Sequence, residues 1–328
     1  MDMMNTSTET AKLDFKNILM LAPLAGYTDL PFRSVVKSFG ADITVSEMIS
    51  VHALAYKNRR TAQMVQKAEN ETPYSVQIAG HDLEIIKRAI QRLNTMSGID
   101  ILDLNCGCPA PKVTHHGSGS SLLKDLDKLV GILRLMREVS TIPYLSAKVR
   151  LGFERKIPEE IAHALGDSPI DFVVVHGRTK IDGYKKEKID YEAIARMKRI
   201  LKVPVIANGE IDSFQKAREV RESTGADGLM IGRAAISKPW IFAQIKKGIS
   251  EESIALRRAV ALEHFDRVIA FHGEYGAIMF RKNLHAYSKG ISRASDFRDR
   301  VNSLSDPKAM RTAILDFFET GELVDGSV

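Results

Sequence analysis

The segment DFVVVHGRT, residues 171–179, contains a short apolar run that ends at a group of polar residues and a glycine. An uninterrupted apolar run of this length predicts a β-strand that helices cover on both faces. Seven more short β-rich runs occur along the chain, several of them continuously apolar, in strand-then-helix units that average about 30 residues. The eight predicted strands are residues 18–22, 43–46, 74–78, 100–104, 144–149, 171–175, 204–207 and 227–231.

Helical patterns occupy the intervals between these strands. Asp29 is the predicted N-cap of a helix over 30–39, and apolar residues recur at helical spacing within 121–137. Asp212 and Gln215 have the spacing of a capping box. Eight strand-then-helix units predict an α/β protein with a closed (β/α)8 TIM barrel, and an open doubly wound sheet is the alternative.

The 328 residues divide into three predicted segments. Residues 1–16 are polar and are expected to form a flexible N-terminus, and residues 17–245 form the barrel. Residues 246–328 show helical patterns without strand signals, which predicts a C-terminal all-helical domain. The first residues lack the apolar core of a signal peptide, and no apolar run approaches the ~20 residues of a membrane helix. We therefore expect a cytoplasmic protein that binds no membrane.

Cys106 and Cys108 are the only cysteines, and one residue separates them. A disulfide between them would be strained, and two ligands alone do not make a zinc site. We therefore expect free thiols in a reducing compartment and no metal ion. The net charge of +6 fits a polyanionic partner without requiring one.

Seven of the eight predicted strands end in segments that carry polar residues or residues with special backbone properties, such as proline and glycine. They are candidates for a functional site, because barrel enzymes place their chemistry at the carboxyl ends of the strands. In strand order, the candidates are Pro23, Leu24, Ala25, Gln77, Asn105, Cys108, Lys148, His176, Arg178, Asn208, Gly209, Glu210, Gly232 and Arg233.

The ends of the last two strands have the composition of a phosphate site. Gly209 and Gly232 would let backbone N–H groups approach an anion, and Arg233 would add a fork of donors. The alternative is that both glycines only form tight turns.

Lys148 ends a buried strand, where an unpaired ammonium group is costly. A lysine there could stabilise the negative charge of a reduced flavin, form a Schiff base, or pair with a carboxylate. Gln77 and His176 could bind the same flavin, and their alternative is a structural role in the core.

Cys108 precedes Pro109 on a constrained turn that faces the predicted site. A thiol with the ordinary pKa near 8.5 keeps its proton at pH 7, so this cysteine could act as an acid. Cys106 is instead expected to be a small buried residue.

Together these motifs resemble those of the flavin-dependent tRNA-dihydrouridine synthases of the bacterial type. They occur in the family's order and cover the whole barrel. The matching segments are APLAGYTDLPFR (22–33), SEM (46–48), QIAG (77–80), DLNCGCPAPKV (103–113), GSGSSLL (117–123), KVRLG (148–152), HGRT (176–179), ANGEI (207–211) and IGRAAISKPW (231–240).

The resemblance implies FMN as the cofactor and NADPH as a transient reductant. It implies that Cys108 is the catalytic acid in the reduction of uridine at C5=C6, and that Asn105, Lys112 and Arg178 contact the uridine or its phosphates. The implied FMN contacts are Pro23, Leu24, Ala25, Gln77, Lys148, His176, Asn208, Gly209, Glu210, Gly232 and Arg233.

The resemblance is weaker in the helical segment. MFRKNLHAYSKGI (279–291) keeps the family's Arg281 and Lys282, but Asn283 replaces a histidine. Residues 281–311 hold eight Lys or Arg and three Asp or Glu, a net charge of +5 that suits a phosphate backbone. The resemblance thus implies a tRNA-binding domain, and we expect a monomer. The alternatives are an FMN barrel reductase of a free pyrimidine or another small enone, and an RNA-binding protein without activity.

Overall fold

The computed structural model describes residues 13–56 and 58–323, without the side chains of Arg59 and Arg60. Nine β-strands lie within these residues, and each of the eight predicted strands overlaps one of them. The strands are β1 Ile18–Leu21, β2 Thr44–Val45, β3 Ile49–Ser50, β4 Tyr74–Ala79, β5 Ile101–Cys106, β6 Tyr144–Arg150, β7 Phe172–His176, β8 Val205–Asn208 and β9 Gly228–Ile231.

The strands form one parallel sheet that closes on itself. Their order is β1-β9-β8-β7-β6-β5-β4-β2. Both β2 and β3 pair with β4, so these two short strands together take the place of one strand of the barrel. A parallel bridge between Met20 and Ile43 joins the two ends of this order. The N–H of Leu21 donates to the carbonyl of Ile43 at 2.9 Å across the same seam. The (β/α)8 barrel is therefore confirmed, and the open sheet is not formed.

The barrel interior is apolar at the amino ends of the strands. Every second residue of a strand points inward. The inward residues that form this apolar layer are Ile18, Met20, Ile43, Val45, Ile101, Phe172, Val174, Ile206 and Met230.

The chain segment before β1 covers this apolar end. The rings of Phe15 and Phe172 lie 4.8 Å apart, and the N–H of Leu13 donates to the Tyr144 hydroxyl at 2.9 Å. Residues 13–16, expected within a flexible N-terminus, thus pack on the barrel. The remainder of that segment, 1–12, lies outside the described residues.

Fifteen α-helices lie within the described residues, eleven of them around the barrel. The barrel helices are α1 Leu30–Ser38, α2 Val51–Ala55, α3 Arg59–Val65, α4 Leu83–Leu93, α5 Pro111–Thr114, α6 Leu126–Val139, α7 Pro158–Gly166, α8 Tyr191–Ile200, α9 Phe214–Thr224, α10 Arg233–Ser237 and α11 Ile241–Lys247. The last four helices are α12 Ile254–His272, α13 Tyr275–Tyr287, α14 Ala294–Ser303 and α15 Pro307–Thr320.

Capping side chains set where several helices begin. Asp29 accepts from the N–H of Phe32, as predicted. The predicted helix over 121–137 is wrong in its first turn: Gly119–Lys124 is a 3-10 helix, and the Asp125 cap starts α6 only afterwards. The predicted capping box at Asp212 is also wrong, because Ser213 caps α9 instead. The Ser213 hydroxyl accepts from the N–H of Lys216 at 3.1 Å, so the helix begins one position later than predicted.

The four last helices enclose a second apolar core, which includes Phe265, Phe280 and Ile314. Val35 of α1 and Trp240 before α11 belong to the same core. The helical region is therefore packed directly onto the outer layer of the barrel. The expected boundary at residues 245 and 246 lies inside α11, and the chain leaves that helix at residue 248.

Two side chains of the helical region, those of His272 and Lys282, contact the segment that follows β1. His272 Nε2 lies 2.9 Å from Asp29 Oδ2, and Lys282 Nζ donates to the carbonyl of Gly26. Lys282 also lies over the ring of Tyr27 at 5.2 Å. No helix among the described residues is both long and apolar enough to cross a lipid bilayer.

Candidate active site

Polar side chains line the carboxyl end of the barrel on five neighbouring strands. They are Gln77 on β4, Asp103 and Asn105 on β5, Ser146, Lys148 and Arg150 on β6, His176 on β7 and Asn208 on β8. The register of the strands brings these side chains together, because each of them pairs with another polar residue of this set on the neighbouring strand. The predicted candidates on these strands therefore share one surface.

A chain of buried hydrogen bonds crosses β4, β5 and β6. Asp103 accepts from the Ser146 hydroxyl at 2.6 Å and from Gln77 Nε2 at 2.7 Å. Asn105 Nδ2 donates to Gln77 Oε1 at 2.6 Å. Burial raises the pKa of Asp103 to about 6, although the hydrogen bonds from Ser146 and Gln77 oppose the shift.

The turn that carries Cys108 is held from both sides. Asn105 Oδ1 accepts from the N–H groups of Gly107 at 3.1 Å and Cys108 at 2.9 Å. Arg150 Nε donates to the Gly107 carbonyl at 2.7 Å. Gly119 has φ +61°, and a Cβ there would stand 2.9 Å from the Cys108 carbonyl oxygen. The glycine thus allows the 3-10 helix to pack against this turn.

The two cysteines differ in accessibility. Cys106 is fully buried, as expected, and burial raises the pKa of its thiol well above the usual value. Cys108 is only partly buried at the mouth of the barrel. Of the two thiols, only that of Cys108 can therefore meet a ligand from solvent.

Lys148 extends toward Asn208, whose Oδ1 lies 2.8 Å from its Nζ. Burial, together with the nearby Arg150, lowers the pKa of Lys148 to about 7. No carboxylate among the described residues forms an ion pair with Lys148. The structure therefore does not give it the carboxylate partner that was one of the alternatives.

A cluster of cations lies beyond Lys148, at the ends of β7, β8 and β9. Glu210 accepts from Arg178 Nη2 at 2.8 Å and also from Arg233. Arg178 is fully buried, and its Nε donates to the Lys185 carbonyl at 2.8 Å. Burial and the surrounding cations lower the pKa of His176 well below its usual value, so its imidazole is neutral at pH 7.

The two predicted phosphate glycines differ in their surroundings. Gly209 has φ +129°, a backbone conformation that favours glycine, and a Cβ there would also stand 2.4 Å from Ile189 Cδ1, so the turn accounts for the glycine without a ligand. At Gly232 a Cβ would come no closer than 3.6 Å to a described atom, that of Ala22 Cβ. Open space for a ligand is therefore found at Gly232.

The other predicted residues lie at the rim. The N–H of Leu24 donates to the Thr28 hydroxyl at 3.0 Å. Its neighbours Pro23 and Ala25 are partly exposed and exposed, respectively. Lys112 is exposed on α5. Arg281 instead turns into the helical region, where its Nη2 donates to the Leu304 carbonyl at 2.8 Å.

Four residues of this site were missed by sequence reasoning. Asp103, Ser146 and Arg150 stand within strands, two positions from Asn105 or Lys148. The alternation of a strand could have indicated them, because residues two apart share a face. The Tyr184 ring lies between the guanidinium groups of Arg150 at 5.5 Å and Arg233 at 5.3 Å, and no sequence pattern indicated it.

A model of the dihydrouridine synthase family matches residues 20–320. The chain belongs to the dihydrouridine synthase family. The match runs from β1 to the end of α15, so both the barrel and the helical region of this dihydrouridine synthase are part of it.

Curated relatives of this dihydrouridine synthase are similar over nearly their whole length. The chain is 56% identical over 308 residues to a probable tRNA-dihydrouridine synthase of Helicobacter pylori, covering 93% of this chain and 94% of the relative. It is 37% identical over 315 residues to tRNA-dihydrouridine synthase B of Pseudomonas syringae, covering 93% and 92% of the two chains.

A solved structure of a morphinone reductase variant in complex with tetrahydroNAD has the same fold. It superposes with a TM-score of 0.51 at 11% identity, covering 71% of this chain and 87% of that one. At this identity the likeness concerns the barrel fold alone. Among the described residues, no three or more His, Cys, Asp and Glu side chains converge where a metal ion could bind.

Proposed function

We propose that this dihydrouridine synthase reduces the C5=C6 bond of specific uridines in tRNA, with FMN as cofactor and Cys108 as the proton donor. The observation that carries the proposal is the Cys108 turn. Its thiol is accessible at the barrel mouth while Asn105 and Arg150 fix its backbone. The similarity to named tRNA-dihydrouridine synthases supports the substrate.

The residues at the mouth fit a flavin phosphate. Gln77 is fully buried and uses one N–H and one lone pair within the barrel, so its proposed contact with the pyrimidine edge of a flavin rests on the resemblance to the family. Four cations, Lys148, Arg150, Arg178 and Arg233, stand against two carboxylates, Asp103 and Glu210, and this excess suits a phosphate dianion. The residues that would hold FMN are Pro23, Leu24, Ala25, Gln77, Lys148, His176, Asn208, Gly209, Glu210, Gly232 and Arg233.

When bound, FMN supplies the hydride that C6 of uracil receives. The chain's own groups manage the charge and the proton. Negative charge develops toward O4 and C5 of the uracil, and the Cys108 thiol donates its proton to C5. The thiolate that remains takes up a proton from solvent, and the ammonium group of Lys148 stabilises negative charge in the site. NADPH is the proposed source of the electrons.

The helical domain, residues 246–328, is proposed to bind the tRNA backbone. Arg281 and Lys282, with Lys112 at the rim of the barrel, would contribute positive charge, and Asn105 and Arg178 would act near the uridine. The target base has to leave its stack to enter the mouth, which favours uridines in loops. We further propose a monomer and, because the described cysteines are free thiols, a cytoplasmic location.

The second candidate function is the reduction of a free pyrimidine or another small enone, since the Cys108 turn alone would serve that chemistry. Purified protein with FMN and NADPH should be given unmodified tRNA transcript in one reaction, and uracil or uridine in another. Mass spectrometry of the digested products should find uridine with two added hydrogens from the tRNA only. Reduction of the free bases without reduction of tRNA would overturn the proposed substrate.

A further inference from the structure

Asp103 is a buried carboxylate in the candidate site. Of the residues proposed to contact the cofactor or the substrate, it forms a hydrogen bond with Gln77 alone. Its side chain is 4% exposed, and its two oxygens accept from Ser146 and Gln77. Among the described residues it forms no ion pair. A buried acid with two short hydrogen bonds and no cation in contact requires an explanation beyond packing.

The hydrogen bonds that begin at Asp103 end at the catalytic turn. Gln77 Nε2 donates to Asp103, Asn105 Nδ2 donates to Gln77 Oε1, and Asn105 Oδ1 accepts from the N–H of Cys108. All donors point in one direction along this path, from the Cys108 backbone toward the carboxylate.

The chemistry of the two ends explains why this direction matters. A primary amide can turn by half a rotation and exchange its donor for its acceptor, whereas a carboxylate only accepts and a backbone N–H only donates. If Gln77 and Asn105 both turned, the amide nitrogen of Asn105 would face the N–H of Cys108, donor against donor. The acceptor at position 103 prevents this, because it requires the Nε2 atom of Gln77 on its side.

We propose that Asp103 is a positioning residue, whose carboxylate sets the orientation of Gln77 and, through Asn105, holds the Cys108 turn in place. The inference rests on the proposed function for its consequence in catalysis.

The test measures how fast iodoacetamide alkylates Cys108 in the FMN-loaded protein at pH 8. Cys106 is fully buried, so the rate reports on Cys108 alone. Asp103→Ala should raise the rate roughly tenfold, the factor that corresponds to losing one hydrogen bond that holds the turn. Ser146→Ala is the matched control: it removes the other hydrogen bond to Asp103 and should leave the rate within about twofold of wild type.

Exchanging the carboxylate and the amide between positions 103 and 77 distinguishes an effect on amide orientation from a loss of packing. Gln77→Glu places two carboxylates side by side and should disturb the Cys108 turn as Asp103→Ala does. Adding Asp103→Asn should restore the wild-type alkylation rate, because the new amide at position 103 then donates to the new carboxylate at position 77, which still accepts from Asn105. This rescue keeps the proposal testable even if Asp103→Ala does not fold.

Additive effects of Asp103→Asn and Gln77→Glu, or an unchanged rate in both Asp103→Ala and Gln77→Glu, would overturn the proposal. In the active enzyme, Asp103→Ala should lower kcat on tRNA while KM stays close to wild type. Alkylation needs no RNA, so its outcome stands even if the protein turns out not to reduce tRNA.

Discussion

Nζ of Lys148 lies 2.8 Å from Oδ1 of Asn208, although β7 separates the strands that carry them. Asn208 Nδ2 donates to the Met230 carbonyl at 2.8 Å, which keeps its Oδ1 directed at the ammonium group. The ammonium group of Lys148 is thus held by a neutral partner. Its charge is left for a ligand.

Lys148→Met should make the reduction potential of the bound flavin more negative. The cation would otherwise stabilise the negative charge that reduction adds. We expect a shift of tens of millivolts, since about 30 mV corresponds to ~1.4 kcal/mol for a two-electron couple. The exposed Lys202 provides the control, and Lys202→Met should leave the potential unchanged. An equal potential in wild type and Lys148→Met would place the cation away from the flavin.

The buried charge of Asp103 should lower stability as pH rises. Its pKa is about 6 in the fold and near 3.8 otherwise. The unfolded chain therefore ionises first, and stability is lost as pH rises through that window. Relative to Asp103→Asn, the apoprotein should lose about 2 kcal/mol of unfolding free energy between pH 4.5 and pH 7. Urea titrations at the two pH values measure this, and a constant difference would contradict the shift.

The ion pair of Arg33 and Glu71 should contribute strongly to folding. Both side chains are fully buried, 2.7 Å apart, and Arg33 Nη1 also donates to the Thr28 carbonyl at 2.9 Å. Arg33→Met leaves the carboxylate buried without its partner and should cost about 3–5 kcal/mol. The partly exposed pair of Arg196 and Glu159 is the control, where Arg196→Met should cost less than about 1 kcal/mol. Similar losses in the two variants would contradict this account.

The sequence was sufficient to predict the barrel because short β-rich runs alternate with helical patterns along the chain. The apolar run at 172–175 and the helical pattern after Asp125 are local features of the sequence. Hydrophobic periodicity and capping residues are therefore enough to predict them. The order of strands followed from the repetition of the units. Competing caps such as Asp212 and Ser213 could not be resolved, because both side chains suit the position and tertiary packing decides between them.

The site was predicted in part. Strand ends indicated Asn105, Cys108 and Lys148, which the fold brings to one surface. The roles of Asp103 and Arg150 depend on strand register, which sequence spacing alone does not give. Arg33 lies in a segment that resembles the family's motif, yet the structure places it in a buried ion pair. A motif residue can therefore serve folding instead of chemistry.

Lys282 should affect both the cofactor and the RNA. It binds the Gly26 carbonyl beside the proposed FMN contacts, while Lys308 is exposed on α15. Lys282→Ala should therefore weaken FMN binding, measured by fluorescence titration, as well as tRNA binding. Lys308→Ala should change only tRNA binding and reduce its salt dependence by about 0.7–0.9 in slope, the value for one phosphate contact. Unaltered FMN affinity in Lys282→Ala would show that its contact with the loop is dispensable.

The central claim is that Cys108 supplies the proton, and the buried Cys106 gives a matched control two positions away. The measurement is the rate of dihydrouridine formation in tRNA by FMN-loaded Cys108→Ala and Cys106→Ala, with NADPH and detection by mass spectrometry. We predict that Cys108→Ala retains FMN but loses about 10² to 10⁴-fold in rate, the contribution of a positioned acid, while Cys106→Ala stays close to wild type. A wild-type rate in Cys108→Ala would contradict the account.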